Sequence, residues 1–152
     1  GPIQLNETLL KVLAFLKSQF RQGNVNVECD LDPELREIRG DGSHLEQVFV
    51  NILTNAIHSI DNDGHLKIST CNNGEQIKVA ISDTGCGIPK EHLSKIFDPF
   101  FTTKEVGKGT GLGLFISYGI IQKHNGTIRV KSDIDKGTSF IIQFPKLEDY
   151  ER

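Results

Sequence analysis

Between Gly107 and Leu114 the chain reads Gly-Lys-Gly-Thr-Gly-Leu-Gly-Leu and then enters an apolar helix, with four glycines in seven positions. Glycine lets a backbone approach a ligand and expose its N–H groups, and the start of a helix adds the positive end of its dipole. The chemistry this favours is phosphate binding, and a flexible loop is the competing reading. Asn51, Asn55 and His58 are spaced four and three apart on a helical segment, on one stripe roughly opposite its apolar stripe. A solvated polar face would look the same. Asparagine is nevertheless a poor helix former, and its amide oxygen can ligate a hard cation such as Mg²⁺. Asp83-Thr84-Gly85-Cys86-Gly87-Ile88-Pro89 follows a strand and sets one carboxylate before two glycines. This is either a strand-ending turn or an acceptor for an exocyclic amine, with the glycines letting a flat ring lie close; such a charge-assisted bond contributes about 1.5–3 kcal/mol. Two common nucleotide fingerprints are absent: Thr102 stands where a P-loop ending at Gly107-Lys108 needs its first glycine, and no G-x-G-x-x-G falls in a strand-to-helix context.

These groups need elements to position them. Leu9, Leu10, Leu13, Phe15, Leu16 and Phe20 recur at helical spacing between Asn6, a plausible cap, and Gly23, a plausible stop. Val25, Val27, Cys29 and Leu31 alternate as in a half-buried strand, and Asp32-Pro33 turns the chain towards a short strand near Ile38. Leu45, Val48, Phe49, Ile52, Leu53, Ala56, Ile57 and Ile60 mark a second helix, capped by Asp41 or Ser43. Leu66, Ile68 and Thr70, then Ile77, Val79 and Ile81, form a hairpin across Asn72-Asn73-Gly74. A third helix is expected from about Gly111 to His124, with Phe115 packing on the sheet beside Leu112 and Ile116, and Asn125-Gly126 stops it. A last hairpin carries Ile128 and Val130, then Phe140, Ile142 and Phe144.

Alternation in nearly every strand implies a mixed, mostly antiparallel sheet with one buried face. The expected class is therefore α+β, a two-layer α/β sandwich with three main helices on one face. The irregular stretch from Asp83 to Lys108 is long for a compact domain, as lids and binding loops are.

At 152 residues the chain makes a single domain. A net charge of −3 gives no electrostatic footprint for nucleic acid, and no apolar run suffices for a membrane span or a signal peptide. Cys29, Cys71 and Cys86 form no zinc spacing, and their odd number argues against a disulfide framework, which fits the cytoplasm. Gly1-Pro2 reads as foreign to the natural chain, and the amphipathic start at Leu5 as the cut end of something longer.

In order, the chemical groups are His44 to Ile60 with Asn51 and Asn55; Asp83 to Gly87; Phe97-Asp98-Pro99-Phe100-Phe101-Thr102-Thr103-Lys104; Gly107 to Leu114; and Gly137-Thr138-Ser139-Phe140. This series resembles the N, G1, F, G2 and G3 boxes of the catalytic and ATP-binding domain of sensor histidine kinases, in the GHKL (Bergerat) ATPase superfamily. The likeness runs from about Leu5 to Phe144. It implies a Bergerat fold with a core over residues 5–146 and an ATP lid over about 97–113. It also implies that Asn55 binds Mg²⁺ bridging the ATP phosphates, with Asn51 and His58 lining the phosphate side. Asp83 would read the adenine amino group, with Gly85, Gly87 and Thr138 shaping the base pocket and Ile88 nearby. Lys104 and Lys108 would contact phosphate from the lid, while Gly109, Thr110, Gly111, Leu112, Gly113 and Leu114 wrap the triphosphate. Phe97, Phe100 and Phe101 would help dock the lid and a partner helix, at least one of them partly exposed.

In the water-activating branches of the superfamily a glutamate stands one turn before the magnesium asparagine. Here that place holds Asn51, which is no base. The resemblance thus implies phosphoryl transfer with poor hydrolysis, Asn51, Asn55 and Lys104 being the catalytic positions. The acceptor would be a histidine on a dimerisation domain outside this chain. Among the five histidines, Glu91-His92-Leu93 comes nearest to the acceptor motif, and it reads as a surface histidine. The implied partners are that dimerisation domain, a response regulator receiver domain and, for the full protein, a second copy in a homodimer that an inner-membrane anchor can tether. Two alternatives share the boxes: a serine kinase of the anti-sigma-factor branch, and a non-catalytic nucleotide-binding switch.

Overall fold

A computed structural model describes residues 1–101 and 112–148. In chain order the elements are β1 (Pro2–Ile3), α1 (Leu5–Phe15), α2 (Lys17–Gln22), β2 (Val25–Asp30), β3 (Ile38–Arg39), α3 (Gly42–Ser59), β4 (Gly64–Asn73), β5 (Gln76–Asp83), α4 (Lys90–Leu93), α5 (Gly113–Lys123), β6 (Thr127–Asp133) and β7 (Gly137–Pro145). Five strands make one sheet in the order β2-β4-β5-β7-β6. Only β2 and β4 run parallel; the other pairs are antiparallel. A two-stranded ribbon joins β1 to β3, so Pro2 is paired with Arg39.

One face of the sheet is dry. Leu66, Ile68, Ile77, Val79, Ile81, Phe140, Ile142 and Phe144 are buried at alternate positions, against the apolar stripe Leu45, Val48, Phe49, Ile52 and Leu53 of α3. Helix α3 packs between α1 and α5, which gives the expected α+β sandwich with its helices on one face. The cap is Asp41: its Oδ1 accepts from the N–H groups of Ser43 at 3.0 Å and His44 at 3.2 Å.

Several local expectations need correction. The first helix is two, because at Leu16 the backbone leaves the helical path; the break returns Phe20 to the core beside Leu16. Gln4, not Asn6, caps α1, its side chain accepting from the N–H of Asn6 at 3.2 Å. Asn6 instead ties the helix to the sheet, donating to the Asp32 carbonyl at 2.7 Å and accepting from the Thr70 hydroxyl at 2.9 Å. Cys29 lies exposed near the end of edge strand β2. The long connection after Asp83 contains the helical turn α4. Helix α5 begins at Gly113 and buries Ser117, Ile120 and Ile121. Phe115 therefore points outward, since a stripe through 117, 120 and 121 leaves it on the far side, while Ile116 lies on the exposed flank of that stripe. His92 is half-buried, its ring edge-on to Phe101 at 5.3 Å, and its Nδ1 is sealed from solvent with no partner.

Two substitutions separate the core from the exposed side of α5. Ile52→Ala should cost about 2–5 kcal/mol in urea unfolding, as for other buried aliphatics, while Phe115→Ala should stay within about 0.5 kcal/mol of the parent. A cost for Phe115→Ala as large as that for Ile52→Ala would put the phenylalanine back in the core.

Candidate functional site

The site grows from the end of β5. Asp83, Thr138 and Ser132 are register partners on adjacent strands β5, β7 and β6, so the pleat brings their side chains to one edge of the buried face. Asp83 and Thr138 are buried. The Asp83 carboxylate accepts from the Gly85 N–H at 2.8 Å and from the Thr138 N–H. Burial pushes its carboxyl above the usual carboxylate range, and the two backbone hydrogen bonds pull only partly the other way. A buried, hydrogen-bonded and strongly directional acceptor is thus held at the strand terminus.

The loop after Asp83 is clamped from both sides. The Cys86 N–H donates to the Ser59 carbonyl at the end of α3 at 3.0 Å, and the Asp135 N–H in the β6–β7 turn donates to the Cys86 carbonyl at 2.8 Å. Gly87 has φ +78°, and a Cβ there would lie 2.1 Å from the Asp133 carbonyl oxygen. Gly137 has φ +112°, and its Cβ would fall 1.9 Å from the Asp83 carbonyl oxygen. What these two glycines admit is the protein's own backbone, which locks loop, hairpin and carboxylate into one unit. Ile88 joins it through its N–H, which donates to the Ser132 hydroxyl at 2.7 Å.

The polar stripe of α3 forms the second part. Asn51 is half-buried against α5, not on an open face: its Nδ2 donates to the Gly113 carbonyl at 3.0 Å and to the Ser117 hydroxyl at 3.2 Å. Asn55, half-buried, and His58, exposed, follow on the same stripe, and neither is without a partner. Leu112 is the cap residue of α5, and Gly113 and Leu114 form its half-buried first turn. Thus Asn51, Gly113 and Ser117 come together, and Asp83, Gly85, Gly87, Ile88 and Thr138 come together, with α3 bridging the two groups through Ser59. Lys104, Lys108, Gly109, Thr110 and Gly111 lie outside the described residues.

Among the described residues no three His, Cys, Asp or Glu side chains gather as a metal site. From those residues a cation here would draw on the neutral amide of Asn55, with further oxygens brought by a ligand, a donor set that suits Mg²⁺ held largely by phosphates. A groove of about 500 Å³ lies beside edge strand β2, lined by Leu13, Phe20 and Val25 among others; none of the candidate residues lines it. Two residues were missed from the sequence. Ser117 and Ser132 occupy inward positions of α5 and β6 where the periodicity calls for an apolar side chain, and that break in pattern was the available signal. No described helix is long and apolar enough to cross a membrane.

Comparison with known proteins agrees with this fold. Residues 40–148 match the family model described as histidine kinase-, DNA gyrase B-, and HSP90-like ATPase. Sporulation kinase A of Bacillus subtilis is 38% identical over 95% of this chain, and the signal transduction histidine-protein kinase AtoS of Escherichia coli is 40% identical over 94%; the chain spans 23% of the length of each. The nucleotide-free catalytic domain of histidine kinase ThkA superposes with a TM-score of 0.86 at 33% identity, covering 96% of this chain and 95% of that one. A complex of ThkA with the response regulator TrrA matches at a TM-score of 0.80 and 27% identity, covering 97% of this chain and 42% of that one. With the sheet, the buried acidic strand end and the asparagine-bearing helix in place, the chain belongs to the histidine kinase-, DNA gyrase B- and HSP90-like ATPase family, as the ATP-binding catalytic domain of a sensor histidine kinase.

Proposed function

We propose that this domain holds Mg-ATP with its base against Asp83 and its phosphates over the start of α5, and delivers the γ-phosphoryl group to a histidine on a separate dimerisation domain. The observation that carries this reading is the buried Asp83 carboxylate, fixed by two backbone N–H groups at the mouth of a glycine-clamped loop. Thr138, Gly85, Gly87 and Ile88 frame the base, and Gly109 to Leu114 surround the triphosphate. Lys104 and Lys108 supply positive charge, with His58 beside the phosphates. Mg²⁺, held through Asn55, would neutralise phosphate charge as the terminal bond breaks. The bond from the β–γ bridging oxygen to phosphorus breaks, a bond from phosphorus to an imidazole nitrogen forms, and ADP leaves.

Asn51 has no proton-accepting role to offer a water, and its amide N–H groups are committed to Gly113 and Ser117. It acts by fixing the first turn of α5 against α3, and hydrolysis stays slow. Phe100, Phe115, Ile116 and Tyr118 are exposed near the two ends of the Thr102–Gly111 segment, which suits docking of an apolar partner helix from the dimerisation domain. The phosphohistidine then serves a response regulator aspartate, and the whole protein acts as a homodimer, with this domain on the cytoplasmic side.

Mixing the domain with Mg-ATP and a separate histidine-bearing dimerisation domain should yield acid-labile phosphate on that histidine, with little on this chain alone. Nucleotide binding with no transfer to any such partner would favour the switch reading, and phosphoserine on a partner the anti-sigma-factor branch. Asn55→Ala should abolish Mg²⁺-dependent transfer while leaving the melting transition intact; full activity in Mg²⁺ would refute the metal role. Asp83→Asn should weaken ATP by about 10- to 100-fold in calorimetry, the worth of one charge-assisted bond, and unchanged affinity would sink the base contact. The pH dependence has a definite sign. Asp83 titrates above its ordinary value, so its contribution to folding stability is present below the ordinary range and lost as pH rises through the raised value. Base recognition needs the carboxylate, so ATP affinity should fall as pH drops through the same window, and Asp83→Asn should flatten both curves.

A further inference from the structure

The two edges of the sheet differ. An edge strand offers unpaired N–H and C=O groups to other chains, and proteins guard such edges with lysine, proline or a bulge. Strand β6 follows this practice, with Lys131 exposed beside Arg129. Strand β2 does not: Val25–Asp30 contains neither lysine nor proline and pairs with β4 through six consecutive residues without a bulge.

The ladder fixes which of its groups face outward. The Gly64 N–H donates to the Asn24 carbonyl at 3.3 Å, and successive residues of a strand turn their peptide groups to opposite sides, so Asn24, Asn26, Glu28 and Asp30 serve β4. The N–H and C=O groups of Val25, Val27 and Cys29 point to the outer edge, where no described strand pairs with them. Their side chains share the helix side of the sheet with Leu66 and Ile68, while those of Asn26, Glu28 and Asp30 lie on the far face with Lys67.

Along this edge runs the groove of about 500 Å³, with Leu13 and Phe20 from the helices and Val25 and Val27 from the strand as its apolar lining. Lys17 and Arg21 line it too, and neither is paired with a described carboxylate. Asp63 is the carboxylate of the lining, and it accepts from the Asn24 Nδ2 at 3.2 Å. Two cations against one carboxylate leave the groove positive. A row of outward backbone groups calls for another backbone, and apolar walls with a positive rim call for apolar and acidic side chains. We propose that the outer edge of β2 is an addition site for an extended segment of a partner polypeptide. The segment continues the sheet as a further strand, sets apolar and acidic side chains into the groove, and keeps uncharged or basic ones beside Glu28 and Asp30 on the far face.

The probe is the capped peptide Thr-Val-Lys-Glu-Lys-Val-Thr, whose pattern reads alike in either strand direction. Its valines and glutamate fall on the groove side, and its lysines on the side of Glu28 and Asp30. Titrated into the ¹⁵N-labelled chain, it should slow amide exchange at Val25, Val27 and Cys29 and leave the already bonded amides of Asn26 and Glu28 unchanged, an alternation that side-chain contact alone would not produce. Lys17→Glu combined with Arg21→Glu should weaken the peptide by about fivefold, the worth of two exposed ion pairs, and should strengthen Thr-Val-Lys-Lys-Lys-Val-Thr. Val27→Pro removes an outward N–H that β4 does not use, so the melting transition should persist while the peptide's protection is lost; the charge reversal needs no such tolerance. Unslowed exchange at the three outward amides in millimolar peptide, or equal affinity of the parental chain for both peptides, overturns the proposal. Protection that grows with protein concentration in the absence of peptide also overturns it, by giving the edge to a second copy of the chain.

Discussion

A carboxylate taken out of water is unfavourable unless backbone donors replace the lost solvent, and the burial of Asp83 organises this molecule around that requirement. Its donors come from Gly85, two residues on, and from Thr138 on the neighbouring strand. To bring both close, the β6–β7 hairpin must pass within touching distance of the Asp83 backbone, which a side chain at 137 would prevent. The loop that follows must in turn squeeze between Ser59 and Asp133, which a side chain at 87 would prevent. A single buried charge thus dictates two glycines, a loop path and the seating of the last hairpin. The result is an acceptor whose position is set before any ligand arrives, so little ordering remains to be done on binding.

The other half of the site is organised by an amide. Asn51 spans the gap between α3 and α5, and its two contacts, to Gly113 and Ser117, set the first turn of α5 against α3. Helix α3 therefore serves both halves: its apolar stripe lies on the sheet, Asn51 fixes α5, and its end at Ser59 grips the loop carrying Cys86. The Asp83 end and the α5 end are held in a fixed relation by one rigid element, which is what the proposed transfer reaction, dependent on positioning, requires. On the proposed reading Asn51 stands where a water-activating relative would hold a glutamate, and the same frame then suits transfer to a partner.

Much of this was legible in the residues themselves. The alternation of β4, β5 and β7 and the 3,4 spacing of α3 predicted the buried face, because burial on one side leaves a periodic trace. The break at Leu16 was not legible, since the apolar pattern continues through it and only the need to return Phe20 to the core bends the chain. Phe115 misled for the opposite reason: a large apolar residue in a helix suggests burial, but the inward stripe of α5 is set by Ser117, Ile120 and Ile121. Asn51 looked like part of a wet face because sequence spacing cannot reveal that a second helix lies there. Ser132 and Ser117 left only a hint, a polar residue at an inward position, and their partners come from other elements.

The central claim is that Asp83 reads the base of the nucleotide whose phosphates lie over α5. The most direct measurement is a crystal structure of this chain with Mg²⁺ and a non-hydrolysable ATP analogue. The exocyclic amino nitrogen of adenine should stand about 2.7–3.2 Å from an Asp83 carboxylate oxygen, with the phosphates reaching Asn55. A base bound elsewhere, with the Asp83 carboxylate left to its two backbone donors, would contradict the account.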